Sequence, residues 1–466
     1  QKTKKTLSLV DFGFVNGHDS SVDDKGGNRT HIFTKSIIDL SLDDYIDSTL
    51  RVDYQKTSND NYLKIFDVKS SILPVSNDVL ESVIKLDLEH ENYDFTASLE
   101  RYETLKGSNS DRYQYVLPTF NFNKNLYLES LKGGLNFNSY GNNTLKDTNI
   151  TTSTLFNDLN YSALNRFFEN GIKTNFNFFL KNVNTIGKNN PKYEESPRSE
   201  LMSAYTYNVS LPMVKKTNTN FNTLEPKLSL RLSPHDMKNN GELERRIDIN
   251  NIFNSNRLSM NDSFESGESI TLGLNFKKEK IKTKKDISEI EQYIDFRLAS
   301  VLRLNEEKNI PTKSTLNKKQ SNIFGEFNFK PIKNISLGYN FSLTEDLNTF
   351  EYNSMNAKMK FNNLTTQFDY LEEKGVIGRT NIIENKTKYN FNDANFISFN
   401  TRKNRKLNLT EYYNLIYEYK NDCLVAGIKY KKNYYSDADI KPTEELFFSV
   451  TIVPLGSFSP SKMALN

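Results

Sequence analysis

The 466-residue chain has no tryptophan, one cysteine and four histidines. A single cysteine closes no internal disulfide, so Cys423 is either a free thiol or bonded to a partner on another segment or chain. His18, His31, His90 and His235 stand far apart, without the HExxH-like or CxxC-like spacing of a zinc site. Long apolar runs are also missing: no stretch approaches the roughly 20 residues of a membrane-spanning helix. That absence and the negative mean hydropathy leave a transmembrane β-barrel open, because only alternate residues of its strands face lipid. Charge of one sign is lacking too. Lys and Arg total 61 against 58 Asp and Glu, a formal charge of +3, which argues against a nucleic-acid binder held by a strong basic field. The basic stretch at 277–285 reads as a solvated loop. The chain opens on Gln1 rather than Met, as expected of a processed or cropped piece, and the lack of a visible signal peptide at this end says nothing about export.

What is present points to strands. There are 32 Phe and 25 Tyr, with 19 Gly and 12 Pro, and aromatic and β-branched residues favour strands while Asn, Asp and Gly favour turns. Alternation is the main signal. Ile172, Thr174, Phe176, Phe178 and Leu180 fall on one face, and Leu228, Leu230 and Leu232 on another. Ile270, Leu272, Leu274 and Phe276 repeat the pattern, and Ile335, Leu337, Tyr339, Phe341 and Leu343 give its cleanest form. Roughly 22 strands of about nine to thirteen residues emerge, the length a tilted membrane-crossing strand requires. Short turns are expected near 90, 123–125, 168–171, 331–334, 361–363, 392–395 and 420–422. Long polar links, such as 57–78, 184–199, 234–268, 304–320 and 433–444, fall in the alternate gaps. Short turns on one side and long loops on the other is the layout of outer-membrane barrels, with the short turns periplasmic. The fold class is therefore all-β, a large antiparallel transmembrane β-barrel, with the first strands of the barrel allowed to lie before Gln1. Residues 1–458 form the barrel domain in this reading and 459–466 a C-terminal tail. A soluble sandwich or solenoid also alternates, but it leaves the recurring apolar face uncovered, and no fixed-length repeat supports a solenoid.

Candidate chemistry is sparse. Gly26-Gly27 and Gly133-Gly134 lack the context of phosphate loops, and no nucleophile elbow supports a hydrolase. Asp236, Asp248, Asp262 and Glu265 form a loose acidic set in the longest loop, without calcium-loop spacing. They read as a solvated loop with local caps rather than as a cation site. No enzyme activity, cofactor or metal is expected. Pro118 interrupts an aromatic strand and marks an edge, a bulge or a weakened pairing. The last strand would expose Leu446, Phe448, Val450 and Ile452 on one face, flanked by Pro442 and Pro454.

Several segments, in order, resemble the LptD (OstA) family of outer-membrane lipopolysaccharide-assembly proteins. They are Leu224-Glu225-Pro226-Lys227-Leu228-Ser229-Leu230 with Ser233-Pro234-His235-Asp236, and Ile247-Asp248-Ile249-Asn250-Asn251-Ile252-Phe253 with Asn256-Arg257-Leu258 and Asp262-Ser263-Phe264-Glu265-Ser266-Gly267. Val116-Leu117-Pro118, Asn421-Asp422-Cys423, the 434–440 segment and Pro454-Leu455-Gly456 resemble it as well. The resemblance runs from about residue 79 to the end and covers the barrel portion of the family.

That resemblance implies transport without chemistry. Lipopolysaccharide arrives over a periplasmic Lpt protein bridge, its sugars pass through the lumen, and its acyl chains leave sideways between the first and last strands. Leu446, Phe448, Val450 and Ile452 would then lie on the gate strand, with Pro118, Pro442 and Pro454 as candidate weak points of the wall. Cys423 would be a candidate for a bond to a periplasmic domain, with a buried, inert thiol as the alternative. An LptE-like lipoprotein plug, the barrel assembly machinery and membrane lipid are the further implied partners, and nucleic acid is not one. A diffusion porin or other uptake channel, and a structural or adhesive surface β-protein, are the rival readings.

Overall fold

The computed structural model describes all residues except 1–4, 19–26, 66, 67, 69, 71, 73–77, 107–110, 285–286, 435–442, 453–455, 459–462 and 465–466. Among the described residues there are 26 strand segments. Arg166–Phe167, Met213–Lys216, Gly456–Phe458 and Met463–Ala464 are short, and the other 22 match the number that alternation predicts. The chain divides into two compact units.

In the first unit, each strand from Thr6–His18 to Ile150–Ala163 pairs antiparallel with the one before it. The part of Lys173–Lys188 that belongs to this unit continues the ladder. Alternation decides the faces. Phe12, Ile32, Tyr54, Ile84 and Leu99 are exposed on one face, whereas His31, Phe33, Asp53, Gln55 and Val83 are buried on the other. The polar-side burial comes from the link after Asp47–Thr57, which folds back so that Tyr62, Leu63 and Ile72 cluster with Phe33, Leu80 and Leu105. His31 lies between two partners there, its Nε2 at 3.3 Å from Asp11 and its Nδ1 at 3.1 Å from the Tyr62 hydroxyl. The histidine thus ties the link to the wall, a role its spacing in the sequence does not reveal.

In the second unit the strands from Asn220–Ser233 to Thr443–Ile452 form a consecutive antiparallel ladder. Leu230, Leu232, Leu272, Met355, Phe368, Ile383, Leu415, Ile428 and Phe448 lie exposed along one face. So continuous an apolar surface is stable only when something apolar covers it. Short and long connections alternate as expected in this unit. The Asn362-Asn363 turn joins Phe350–Phe361 to Leu364–Glu373, and Asn362 takes the left-handed conformation (φ 43°) that Asn tolerates.

Two expectations are overturned. Residues 123–125 make no turn, because Tyr113–Leu128 runs through them and the chain reverses at 129–132. The Asn136 amide donates at 2.7 Å to both Asn123 and Asn125 across the ladder, so cross-strand amide pairing replaces the turn that isolated Asn residues favour. Nor is the basic stretch 277–285 a loop, since Gly267–Lys284 is one strand as far as Lys284. Its charges are matched by Lys277–Glu279 at 2.6 Å and, across the hairpin, Lys280–Glu291 at 3.2 Å, which lets the pleat carry them.

Candidate functional site

The longest loop, 234–266, turns its charges inward. In the second unit its anchor is Glu265, which has one carboxylate for three guanidiniums, and Glu265, Arg257, Arg231 and Arg303 are all buried. Arg231 lies two residues before the end of the strand Asn220–Ser233 and Arg303 ends Ile287–Arg303, so the ladder sets both near the rim of the polar face. Arg257 grips the carboxylate with two bonds, Nε to Oε2 at 2.7 Å and Nη2 to Oε1 at 2.5 Å. Arg303 Nη1 adds a third at 2.7 Å. The remaining donors find the loop backbone and the wall. Arg303 Nη2 reaches the Ser266 carbonyl at 2.7 Å, and Arg231 Nη2 the Glu265 carbonyl at 3.2 Å. Arg257 reaches Thr271 and Ser269, both at 3.1 Å. Gly267 follows at φ +86°, and a Cβ there would lie 2.7 Å from Arg303 Nη2, so any other residue would be strained and would push the guanidinium away.

Burial by itself would raise the Glu265 pKa. The charges of Arg257 and Arg231, with the Arg257 hydrogen bonds and Arg303, more than offset that and hold it at about 2. A depressed carboxylate pKa contributes stability above its unfolded value, and that contribution is lost as pH falls through the folded value. The loop is therefore expected to stay protected from exchange at neutral pH and down to about 4.5, and to lose protection progressively as pH falls towards about 2. Amide hydrogen exchange in 234–266, corrected for its intrinsic pH dependence and followed from about pH 7 to about pH 2, measures this, and protection that does not change over that range contradicts it.

The first unit holds the 260–264 segment of the same loop by a second buried cation. Lys181 is fully buried, and its ammonium donates to Asp158 at 2.7 and 2.9 Å, to the Tyr140 hydroxyl at 3.1 Å and to the Asn261 carbonyl at 3.1 Å. It also lies 5.5 to 5.8 Å from the rings of Tyr140, Phe156 and Phe179, within cation–π range. Phe264 stacks on Phe179 with centroids 4.7 Å apart. Asp262 accepts from the Tyr193 hydroxyl at 2.6 Å and pairs with Lys192 at 2.5 Å. Burial would raise its pKa, but these two partners hold it below the usual carboxylate range.

The acidic set of this loop does not converge. Asp248 caps the backbone of Asn250 and Asn251, while Asp262 and Glu265 each meet their own cations. Caps account for Asp248 alone, and Asp262 and Glu265 are not solvated. Among the described residues no three His, Cys, Asp or Glu side chains cluster as metal ligands would. Elsewhere in the second unit the loop packs on its neighbour at 304–322. Asn240 N–H donates to the Asn309 carbonyl at 2.8 Å, Thr312 N–H donates to the Gly241 carbonyl at 3.0 Å, and Ile310 and Leu316 are fully buried. Arg246 reaches further along the sheet to Glu373 and to the Ile377 carbonyl. Two long loops thus fold onto this unit, 234–266 held by the buried ionic cluster of Glu265 and 304–322 packed on it by backbone hydrogen bonds and the buried Ile310 and Leu316.

The residues singled out from sequence fall elsewhere. Pro118 sits where the register shifts on both ladders of its strand, between Ser98 and Glu100 on one side and between Val116 and Thr119 on the other. It marks a bulge inside the wall of the first unit, not an edge. Cys423 is exposed in the turn 421–423, its N–H donating to Asn421 at 3.0 Å, so the buried-thiol alternative is excluded. Phe448, Val450 and Ile452 are exposed on one face of Thr443–Ile452, with Leu446 on the same face and half-buried. Their register partners are Ile428, Ala426, Leu424 and Tyr430. Beyond Ile452 the chain returns along the other edge of that strand, pairing Val450–Ile452 with Gly456–Phe458 and Glu445–Leu446 with Met463–Ala464. Pro442 and Pro454 lie outside the described residues, as do 459–462 and 465–466 of the expected tail.

Antiparallel strands long enough to cross a bilayer, apolar on one face and polar on the other, with short turns alternating with long loops, define an outer-membrane β-barrel protein. The family model LptD, LPS transport system D, matches residues 39–394, and the chain belongs to that family. It is accordingly a lipopolysaccharide-transport barrel of the Gram-negative outer membrane, in a family of transport proteins that works with other components of the Lpt system. A search of curated proteins found no match. Among solved structures, the siderophore receptor PirA from Acinetobacter baumannii is 10% identical with a TM-score of 0.33, over 97% of this chain and 74% of that one. The alcaligin receptor FauA from Bordetella pertussis is 7% identical with a TM-score of 0.39, over 92% and 74%.

Proposed function

We propose that this barrel inserts lipopolysaccharide into the outer leaflet, passing the sugars through a polar lumen and releasing the acyl chains sideways between its first and last strands. An amphipathic cargo fits neither water nor lipid alone, so the wall must part where its hydrogen bonding is weakest. The observation that carries this reading is the asymmetry of the strand Thr443–Ile452. On one side its ladder is continuous from Leu424↔Ile452 to Asn433↔Thr443. On the other, the described pairs, Val450–Ile452 with Gly456–Phe458 and Glu445–Leu446 with Met463–Ala464, are made by the chain's own return, a local reversal that can peel away without unravelling the wall. That second side is the edge a gate needs, and Leu446, Phe448, Val450 and Ile452 give the strand an apolar face for lipid. The Pro118 bulge, Pro442 and Pro454 are secondary weak points in the same reading. Cys423, exposed at a short turn, is available for a bond to a periplasmic domain. An LptE-like lipoprotein inside the lumen, the periplasmic Lpt bridge and the barrel assembly machinery complete the proposed partners, with residues 1–458 as the barrel and 459–466 as its tail.

Depletion in the native cell tests transport directly: the expected result is loss of surface lipopolysaccharide with accumulation in the periplasm. Unchanged lipopolysaccharide with a defect in solute uptake would instead establish a porin or uptake channel. The edge itself is tested with Val450→Cys and Phe458→Cys, register partners whose ladder spacing suits a disulfide, in a Cys423→Ser background. Oxidation is expected to arrest lipopolysaccharide delivery and reductant to restore it. Normal delivery through fully cross-linked protein would place the exit elsewhere.

A further inference from the structure

The near-neutral charge of the whole chain hides a local concentration on the polar face of the second unit. Lys358 and Lys360 lie in Phe350–Phe361, and Lys386 and Lys388 in Asn381–Asn390. The strand between them, Leu364–Glu373, presents neutral Thr365 and Gln367. Register lines these residues up. Thr365 is opposite both Lys360 and Lys388, and Gln367 is opposite both Lys358 and Lys386. The flanking strands keep the surface neutral, with Ser336 opposite Lys358, Asn400 opposite Lys386 and Ser398 opposite Lys388. At a strand spacing of about 4.8 Å and a rise of about 3.3 Å per residue, the four Cα atoms mark a rectangle of about 10 by 7 Å. The ammonium groups of Lys358, Lys360 and Lys388, the last resting over the Phe396 ring, can therefore converge on one bound anion, with Lys386 beside them shared with Glu384.

The nearest carboxylates on this face belong to the next row and are already engaged. Asp369 accepts from Gln367 at 2.8 Å and also from Asn356. Glu384 takes Lys386 at 3.0 Å and the Tyr412 hydroxyl at 2.9 Å. Among the described residues, Lys358, Lys360 and Lys388 form no ion pair, and all four lysines are exposed. The opposite face of the same strands carries Met355, Phe361, Phe368, Ile383 and Tyr389, all exposed, so the lysines stand on the water-filled side.

We propose that Lys358, Lys360, Lys386 and Lys388 form a phosphate-binding ladder that receives lipid-borne phosphate groups of the glycolipid as it enters from the short-turn end. This deepens the transport reading and rests on it. Lysine suits transit: a hydrated point charge on a flexible stem attracts an anion without the fixed bidentate grip of arginine. Conduction needs sites that are favourable to enter yet weak enough to leave. The short turns at 362–363 and 391–394 place the ladder towards the periplasmic end, where cargo arrives.

The test uses the full-length protein in detergent, titrated with lipopolysaccharide and with phosphatase-treated lipopolysaccharide, for the wild type and for the triple variant Lys358→Gln, Lys360→Gln and Lys388→Gln. Heat-modifiable migration confirms that each variant is folded, and Lys406→Gln, in an exposed loop, serves as control. The wild type is expected to bind the phosphorylated form about tenfold more tightly, and the triple variant to lose that preference while binding the treated form unchanged. Equal binding of both forms by the wild type, or equal loss for both in the variant, overturns the ladder. Full competition by inorganic phosphate at concentrations equimolar to the lipopolysaccharide also overturns it, since the site would then take the free ion. If depletion abolishes surface lipopolysaccharide while the triple variant shows no change, the ladder alone fails. If depletion leaves lipopolysaccharide intact, the transport reading itself fails.

Discussion

Glu265→Ala is expected to release the 234–266 loop from the polar face and to open the barrel to small solutes. The substitution leaves Arg231, Arg257 and Arg303 buried around a missing carboxylate. Removing one partner from a buried ionic cluster typically costs about 3–5 kcal/mol, because the remaining charges are uncompensated in a low dielectric. The loop can avoid that cost by leaving, which returns the guanidiniums to water. Single-channel conductance in planar bilayers should then rise, and protease should cut within 234–266 in the folded protein. Glu265→Gln keeps the shape but not the charge, and should fall between wild type and alanine. Unchanged conductance and protection in Glu265→Ala would mean that packing of the two long loops, not the ionic cluster, holds them in place.

Lys181→Ala should have an effect of similar size in the first unit. It strands the Asp158 carboxylate, removes a donor from the Asn261 carbonyl and leaves a cavity between the rings of Tyr140, Phe156 and Phe179. The expected loss is about 3–5 kcal/mol, read as a lower temperature for the heat-modifiable mobility shift and as loss of the Phe179–Phe264 stack. The double variant Lys181→Met with Asp158→Asn removes both charges and keeps most of the volume, so it should recover much of that stability. If the double variant is as unstable as Lys181→Ala, the ammonium matters through its aromatic and backbone contacts rather than through its charge pair.

Both clusters show what pattern alone could and could not supply. Leu228, Leu230 and Leu232, or Ile335 through Leu343, announce a strand because a period of two places them on one face whatever surrounds them. Turn length does the same for topology, since a short link allows only an antiparallel neighbour. Ser229, Arg231 and Ser233 were legible as the polar face of a strand, but not as the wall to which a loop is fastened. Nothing local distinguishes Glu265, buried under three guanidiniums, from a solvated acid. Its partners come from two strand ends and from within the loop, Arg303 being 38 residues away in sequence. Lys181 likewise reads as one more lysine of the polar face, until the 260–264 segment folds over it. The four lysines of the polar face are invisible in a net charge of +3, because only register brings Lys360 and Lys388 to either side of Thr365. By itself, then, the sequence determined most of the strands, their faces and their order, which depend on neighbours one or two residues apart, but not that Tyr113–Leu128 runs through 123–125 or that Gly267–Lys284 carries its charges in a strand. The tertiary structure alone decided which charges are buried, which are paired and where a loop comes to rest, because those depend on desolvation and on contacts made across the sheet.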